Sequence, residues 1–165
     1  MDALIILLRI AHVLFATFWV GTTLFSVLFL QPTIAAMGAD GGKFMQRLLG
    51  DTRFSLAMTA AGLTTVITGL LMYGPVTGNA VEIMIGPRLP LTIGAIAGIV
   101  SAVIGGAMVG RSSGKLEKLS AEMVAQKSRP TREQLTQIQS LQSTIRRGTI
   151  WTAVFMVIAV VGMTW

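Results

Sequence analysis

The chain has 165 residues, about the length of one domain. Hydrophobic residues make up 53% of it and charged residues 12%, whereas an ordinary soluble domain carries roughly 25% charged residues. With a mean hydropathy of +0.72, the chain has too little polar surface for a water-soluble fold. Cysteine is absent, which excludes disulfides, thiolate metal sites and cysteine nucleophiles. The net charge of +6 does not indicate nucleic-acid binding, because the basic residues lie between apolar stretches.

Four apolar stretches approach or exceed the roughly 20 residues needed to cross the hydrocarbon core of a membrane. They are residues 3–30, stopped by Gln31-Pro32, residues 54–73, closed by Gly74-Pro75, residues 89–109 and residues 149–165. The first is too long for a signal-peptide core and is expected to be retained. In lipid, helices satisfy their own backbone groups, and no alternating strand pattern is present. We therefore predict an all-α, integral membrane four-helix bundle that forms a single domain over residues 1–165.

The basic residues are distributed unevenly along the chain. Three lie between the first and second stretches, eight lie between the third and fourth, and the remaining two of the 13 are Arg9 and Arg88. Because lysine and arginine accumulate in cytoplasmic loops, the first and third connections are predicted to be cytoplasmic and both termini to lie outside. A bacterial cytoplasmic (inner) membrane is the expected location.

The third connection, residues 111–147, has a helical pattern of its own. Apolar residues recur at three- and four-residue spacing before and after Pro130: Leu116, Leu119 and Met123, then Leu135, Ile138, Leu141 and Ile145. Thr131 and Gln134 fit a capping box, which marks the start of a helix. We predict that the third and fourth helices extend into the cytoplasm as an antiparallel hairpin. An unpacked, charged loop is the alternative.

Small residues follow one another at four-residue steps along the third stretch: Gly94, Gly98, Ala102, Gly106 and Gly110. This spacing predicts that another backbone approaches closely, as small residues allow in membranes. The partner is left open by the pattern. It is the first helix, another membrane subunit or copy of the chain, or a flat ligand, and contact within the chain is favoured.

Two ionisable residues lie inside the first stretch. Arg9 and His12 are one turn apart and share a helix face with Trp19. Arg9 is near enough to the end to extend to the headgroups, but His12 lies about 13 Å into the helix and needs a partner there. An ionisable residue at this depth indicates a functional site. The structural alternative is a hydrogen bond to Thr64 or Thr65 of the second helix.

In the functional interpretation, His12 is a metal ligand, because a neutral imidazole binds haem iron or copper well. Counting residues inward from the helix ends places Gly98 and Met156 at the depth of His12. Gly98 would leave room for a flat macrocycle, Met156 would supply a second axial ligand, and Arg9 would suit a propionate. His12, Arg9, Met156 and Gly98 are therefore the predicted cofactor site, and haem b is the expected cofactor.

Other chemistries lack their residues. None of the four stretches contains aspartate or glutamate, so carboxylate relays are excluded there. The glycine-rich phosphate loop, the paired-histidine zinc helix and the serine nucleophile elbow have no match in the chain. The single histidine also excludes a multi-histidine zinc site.

The first stretch resembles the opening of a known superfamily. The segments Leu8-Arg9-Ile10-Ala11-His12-Val13, Phe18-Trp19-Val20-Gly21 and Phe29-Leu30-Gln31-Pro32 are similar to the first helix of the CopD-like membrane proteins and of the related HemJ-type protoporphyrinogen oxidases. Thr68-Gly69-Leu70 and an arginine-led last helix with Met163 near its end fit the four-helix members of that superfamily. The resemblance implies that His12 is a haem b ligand, as in the HemJ type, or a metal-related residue, as in the CopD type. The HemJ type has a lysine at the start of its third helix, where this chain has Arg88.

Two functions remain open from the sequence. One is a membrane-embedded haem-b-binding or redox-related protein that uses His12. The other is a non-catalytic structural or assembly subunit of a larger membrane complex, in which the small-residue helix packs against partners. The residues do not decide whether the chain is an enzyme.

Overall fold

All regular structure in the described part of the chain is helical. The computed structural model of the protein describes residues 3–78, 81, 85–126 and 131–164. Its helices are α1 (Ala3–Phe25), α2 (Gln31–Ala36), α3 (Ala39–Gly50), α4 (Phe54–Thr77), α5 (Leu89–Ile104), α6 (Arg111–Gln126) and α7 (Arg132–Met163). Two π-helical segments, π1 (Ser26–Leu30) and π2 (Gly105–Gly110), join α1 to α2 and α5 to α6.

Four continuous helical stretches have the length and composition of membrane spans. They are Ala3–Ala36, Phe54–Thr77, Leu89–Met123 and Arg132–Met163. The predicted all-helical class is confirmed, and each stretch overlaps one of the four predicted spans. Their outer surfaces are apolar, with Leu14 64% exposed, Leu63 58% and Val103 62%. Such surfaces match lipid contact.

The first helix does not stop at Gln31-Pro32, so that predicted end is wrong. A proline removes a backbone N–H, and its ring clashes with the carbonyl four residues earlier. Directly before Pro32, π1 widens the helix, and the Gln31 N–H donates to the carbonyl of Ser26, five residues back. The wider turn makes room for the ring, so the helix continues to Ala36.

The second helix likewise passes through Gly74-Pro75, which corrects the predicted end at residue 73. It continues to Thr77. It stops at Gly78, whose φ of 66° lies in the left-handed region and whose N–H donates to the carbonyl of Gly74. A left-handed glycine after the last turn is a common helix end.

α1 and α4 form one antiparallel pair. A Cβ added at Gly62 would lie 3.2 Å from Cε2 of Trp19, and one added at Gly69 would lie 3.0 Å from Cε1 of His12. Later residues of α4 therefore lie against earlier residues of α1, as expected for antiparallel helices. Both ring side chains occupy notches that glycines leave open on α4.

α5 and α7 form a second antiparallel pair with closer backbones. A Cβ added at Gly162 would lie 2.5 Å from the carbonyl oxygen of Pro90 and 2.8 Å from Cα of Gly94. Further along, Ser101 Oγ donates to the carbonyl of Thr152 at 3.2 Å. At Gly94 and Gly98 the small-residue contact is thus made within the chain, and its partner is the last helix, whereas a Cβ at Gly106 would meet nothing within 4 Å.

The two pairs share one buried cluster. Its buried members are Trp19 of α1, Ala61 of α4 and Met156 of α7, with Val20, Met58 and Ala102 packed against them. Met156 and Ala61 are each 1% exposed. A hydrogen bond of 2.7 Å between Tyr73 Oη and Thr92 Oγ1 also joins α4 to α5.

α7 begins with the predicted capping box. The Gln134 N–H donates to Thr131 Oγ1 at 3.2 Å, and the Thr131 N–H donates to Gln134 Oε1 at 2.9 Å, which confirms that prediction. α6 contacts both α3 and α7, and we call α3, α6 and the N-terminal half of α7 the basic end of the molecule. The predicted break at Pro130 lies outside the described residues.

Candidate functional site

His12 lies where the interface between α1 and α4 meets the surface. On the same face of α1, Thr23 is 3% exposed and Trp19 is 8% exposed. Two turns from Trp19, His12 is half-buried, and one turn beyond it Arg9 is exposed. The packed face of α1 therefore opens progressively towards the N-terminal end of the helix.

The imidazole of His12 is bonded to α4 through Nδ1. This nitrogen lies 2.9 Å from the carbonyl oxygen of Thr65 and 3.2 Å from Oγ1 of Thr68. A carbonyl oxygen can only accept, so Nδ1 carries the proton and donates it. The hydroxyl of Thr68 donates its own proton to the carbonyl of Thr64 at 2.6 Å, which leaves Oγ1 free to accept from the ring.

The other ring nitrogen, Nε2, has its lone pair free. In a neutral imidazole with the proton on Nδ1, Nε2 is an acceptor. It has no hydrogen-bond partner among the described residues, and in that part of the chain the only buried side-chain polar atom without a partner is Thr152 Oγ1. Because Nε2 has no partner and is not among the buried atoms, it is reachable from outside the chain.

Gly69 allows the ring to lie this close to α4. A Cβ at this position would lie 3.0 Å from Cε1 and 3.3 Å from Nδ1 of His12, so any larger residue would displace the imidazole. Sequence reasoning expected a partner at Thr64 or Thr65 and missed Thr68 and Gly69. The available signal was the spacing, since Thr65, Thr68 and Gly69 share one helix face.

Met156 does not lie beside His12. It packs with Trp19 and Ala61 in the buried cluster, and Trp19 is about 10 Å from His12 along α1. Its side chain is 1% exposed, so the sulfur is enclosed by protein.

Gly98 faces the last helix. A Cβ there would lie 3.9 Å from Cβ of Ala159 and 3.9 Å from Cε of Met163. A methyl group there would make ordinary van der Waals contact with α7, so Gly98 faces α7 across the helix interface. Of the four predicted site residues, the structure leaves Arg9 and His12 together on the open face of α1.

A metal site made from several acidic, cysteine or histidine side chains does not form among the described residues, where no group of three such residues comes together. What the site offers is one oriented imidazole with a free Nε2 and a guanidinium one turn away. No family model, curated protein or solved structure matches the chain.

Proposed function

We propose that this protein binds haem b in the membrane and serves a redox-related function, and that Nε2 of His12 would hold the haem iron. The observation that carries the proposal is the bond from Nδ1 of His12 to the carbonyl of Thr65. Metal-bound histidines commonly donate their other ring N–H to a carbonyl in this way, which fixes the tautomer and the ring orientation. An unmet polar nitrogen in hydrocarbon costs several kcal/mol, so a ligand at Nε2 is expected.

The described residues offer a histidine ligand on an open surface and not an enclosed haem pocket. The centre of the helices is filled by the cluster around Trp19 and Met156, so a macrocycle would lie on the open side of the α1–α4 pair. Arg9 is exposed there and would pair with a propionate. Haem, when bound, supplies one-electron chemistry. The chain supplies the oriented imidazole and the cation. Met156 is enclosed in the core and is not expected to bind the haem iron.

The proposal includes an arrangement in the membrane. The four spanning candidates would form a four-helix bundle in a bacterial cytoplasmic membrane, with both termini outside. α6 and the first half of α7 would extend into the cytoplasm as an antiparallel hairpin. Support comes from the two antiparallel pairs, the contact between α6 and α7, and the eleven of 13 basic residues that fall in two of the connections.

The resemblance of the first helix to the CopD-like and HemJ-type proteins supports the same role for His12. The second candidate function, a non-catalytic subunit of a larger membrane complex, is favoured by a different observation. The bonds from His12 to Thr65 and Thr68 already join α1 to α4, which gives the histidine a structural role without any ligand.

An absorption spectrum tests the proposal. Protein purified gently from haem-replete membranes should show a Soret band, and His12→Ala should abolish it while the protein still inserts and stays helical. Arg9→Gln should weaken haem retention without abolishing it. Met156→Leu is the matched control, since its sulfur is enclosed, and should leave the band unchanged. A colourless wild-type protein would contradict the haem proposal and favour the structural subunit.

A further inference from the structure

One exposed face of α7 at the basic end carries two arginines among polar side chains. The face consists of Gln139, Gln142, Ser143, Arg146, Arg147 and Ile150. All six residues recur at three- and four-residue spacing, so they form one face of the helix, and all six are exposed. The opposite side of α7 is the packed one, where Gly148 is buried against Met108 of π2.

This face is positively charged, and its charges are unpaired. The only ion pair among the described residues is Lys43–Asp40, and neither Arg146 nor Arg147 has a partner there. None of the six residues on this face is acidic. The Ser143 hydroxyl donates to the carbonyl of Ser140 at 2.8 Å, so the free donors are the guanidinium groups and the glutamine amides. Such a donor set suits the oxygens of a phosphate group.

The same face becomes apolar immediately beyond the arginines. No charged residue follows Arg147 in the chain, and the face continues as Ile150, Val154 and Val157, which are 38%, 43% and 47% exposed. From Arg147 to Val157 the helix rises about 15 Å. This equals half of the roughly 30 Å hydrocarbon thickness of a bilayer, which is the depth of one leaflet.

We propose that this face binds an anionic phospholipid of the cytoplasmic leaflet. Its phosphate lies between Arg146 and Arg147, and one acyl chain lies along Ile150, Val154 and Val157. A free phosphate ester offers the same group to the arginines, but it leaves the adjoining apolar strip unused. The lipid matches both halves of the face. This inference requires α7 to cross a bilayer and is independent of haem binding.

Native mass spectrometry of the whole protein in detergent tests the inference, with three probes titrated separately: phosphatidylglycerol, phosphatidylcholine and glycerol phosphate. Phosphatidylglycerol should bind most tightly. Arg146→Gln with Arg147→Gln should weaken its binding about tenfold or more. Arg132→Gln with Lys118→Gln removes the same charge from exposed sites elsewhere at the basic end, and should change the binding less than about twofold.

Three results would overturn the inference. Equal losses in the two double variants would indicate general charge attraction. Equal affinity for phosphatidylcholine would show that the net negative charge of the lipid is not recognised. Displacement of the lipid by glycerol phosphate at comparable concentration would assign the arginines to a free phosphate ester. If the double variant Arg146→Gln with Arg147→Gln does not fold, Arg146→Lys with Arg147→Lys replaces it. The lysine variant keeps the charge and should still weaken lipid binding, because it loses the paired donors of arginine.

Discussion

His12 is held in one orientation by three features of α4: the carbonyl of Thr65, the hydroxyl of Thr68 and the bare backbone of Gly69. A polar side chain inside a membrane span must satisfy its hydrogen-bonding groups within protein, water or ligand. Here one nitrogen is satisfied by protein and the other is left open. The asymmetry is what distinguishes a ligand position from a fully paired structural histidine.

The orientation predicts the tautomer of the ring in the ligand-free protein. His12 is the only histidine in the chain, so ¹⁵N-histidine labelling gives a single imidazole in an NMR spectrum. Because the carbonyl of Thr65 can only accept, the proton of the neutral ring should be found on Nδ1, with Nε2 unprotonated. A neutral ring protonated mainly at Nε2 would contradict the site as described.

Gly69→Ala tests the position of the same ring. The new methyl group would lie 3.0 Å from Cε1, so the imidazole should shift and the signal of Nδ1 should move. In helix propensity alanine is favoured over glycine by about 1 kcal/mol, so the fold itself should survive. Gly21→Ala in α1 is the matched control, since its added Cβ meets nothing within 4 Å. Identical spectra for the two variants would show that the ring of His12 does not lie against Gly69.

At this site the sequence predicts which residues are unusual better than it predicts which residues lie next to them. The sequence identifies His12 and Arg9 as unusual because ionisable groups are rare in spans. Placing Met156 and Gly98 beside them relied on counting residues from the helix ends, which assumes that all helices begin at one level. The register of α7 is instead set by Gly162 meeting Pro90 and Gly94, and no single-helix pattern contains that pairing.

At the scale of elements, local signals were reliable where the cause is local. The capping box of α7 depends on Thr131 and Gln134 alone, and it forms as predicted. The two prolines do not end their helices, because the effect of a proline depends on the turn around it. Pro32 is accommodated by the π-helical turn before it, and Pro75 lies within the last turns of α4. A proline near a span end therefore does not fix that end.

The contact between α5 and α7 predicts which glycine substitutions destabilise the protein. In Gly162→Ala the methyl group would lie 2.8 Å from the backbone of Gly94, so the helices must separate. Overpacking of this kind costs about 1–3 kcal/mol, and the melting midpoint in detergent should fall. In Gly106→Ala the added Cβ meets nothing within 4 Å, so the midpoint should be retained. Equal midpoints would show that the two backbones are not in contact at Gly162.

At the scale of the whole molecule, polar and apolar surfaces are separated along the helices. The apolar halves of α1, α4, α5 and α7 pack as two antiparallel pairs around one cluster. α3, α6 and the first half of α7 carry most of the charge at the basic end. His12 lies on α1 two turns beyond Trp19, away from the basic end. The proposed haem site and the proposed lipid site would therefore lie towards opposite leaflets.

Both proposed locations depend on which side of the membrane the basic end faces. The chain has no cysteine, so single cysteines can be introduced at exposed positions without background labelling. Val81, which is 66% exposed, lies in the connection between α4 and α5, and the exposed Gln126 ends α6 at the basic end. Because lysine and arginine accumulate on the cytoplasmic side, an impermeant thiol reagent added to intact cells should label Val81→Cys. It should label Gln126→Cys only after the membrane is opened. Labelling of both variants in intact cells would argue against a membrane crossing by the one span between them, Leu89–Met123. The reversed pattern would place His12 in the cytoplasmic half and Arg147 at the outer surface.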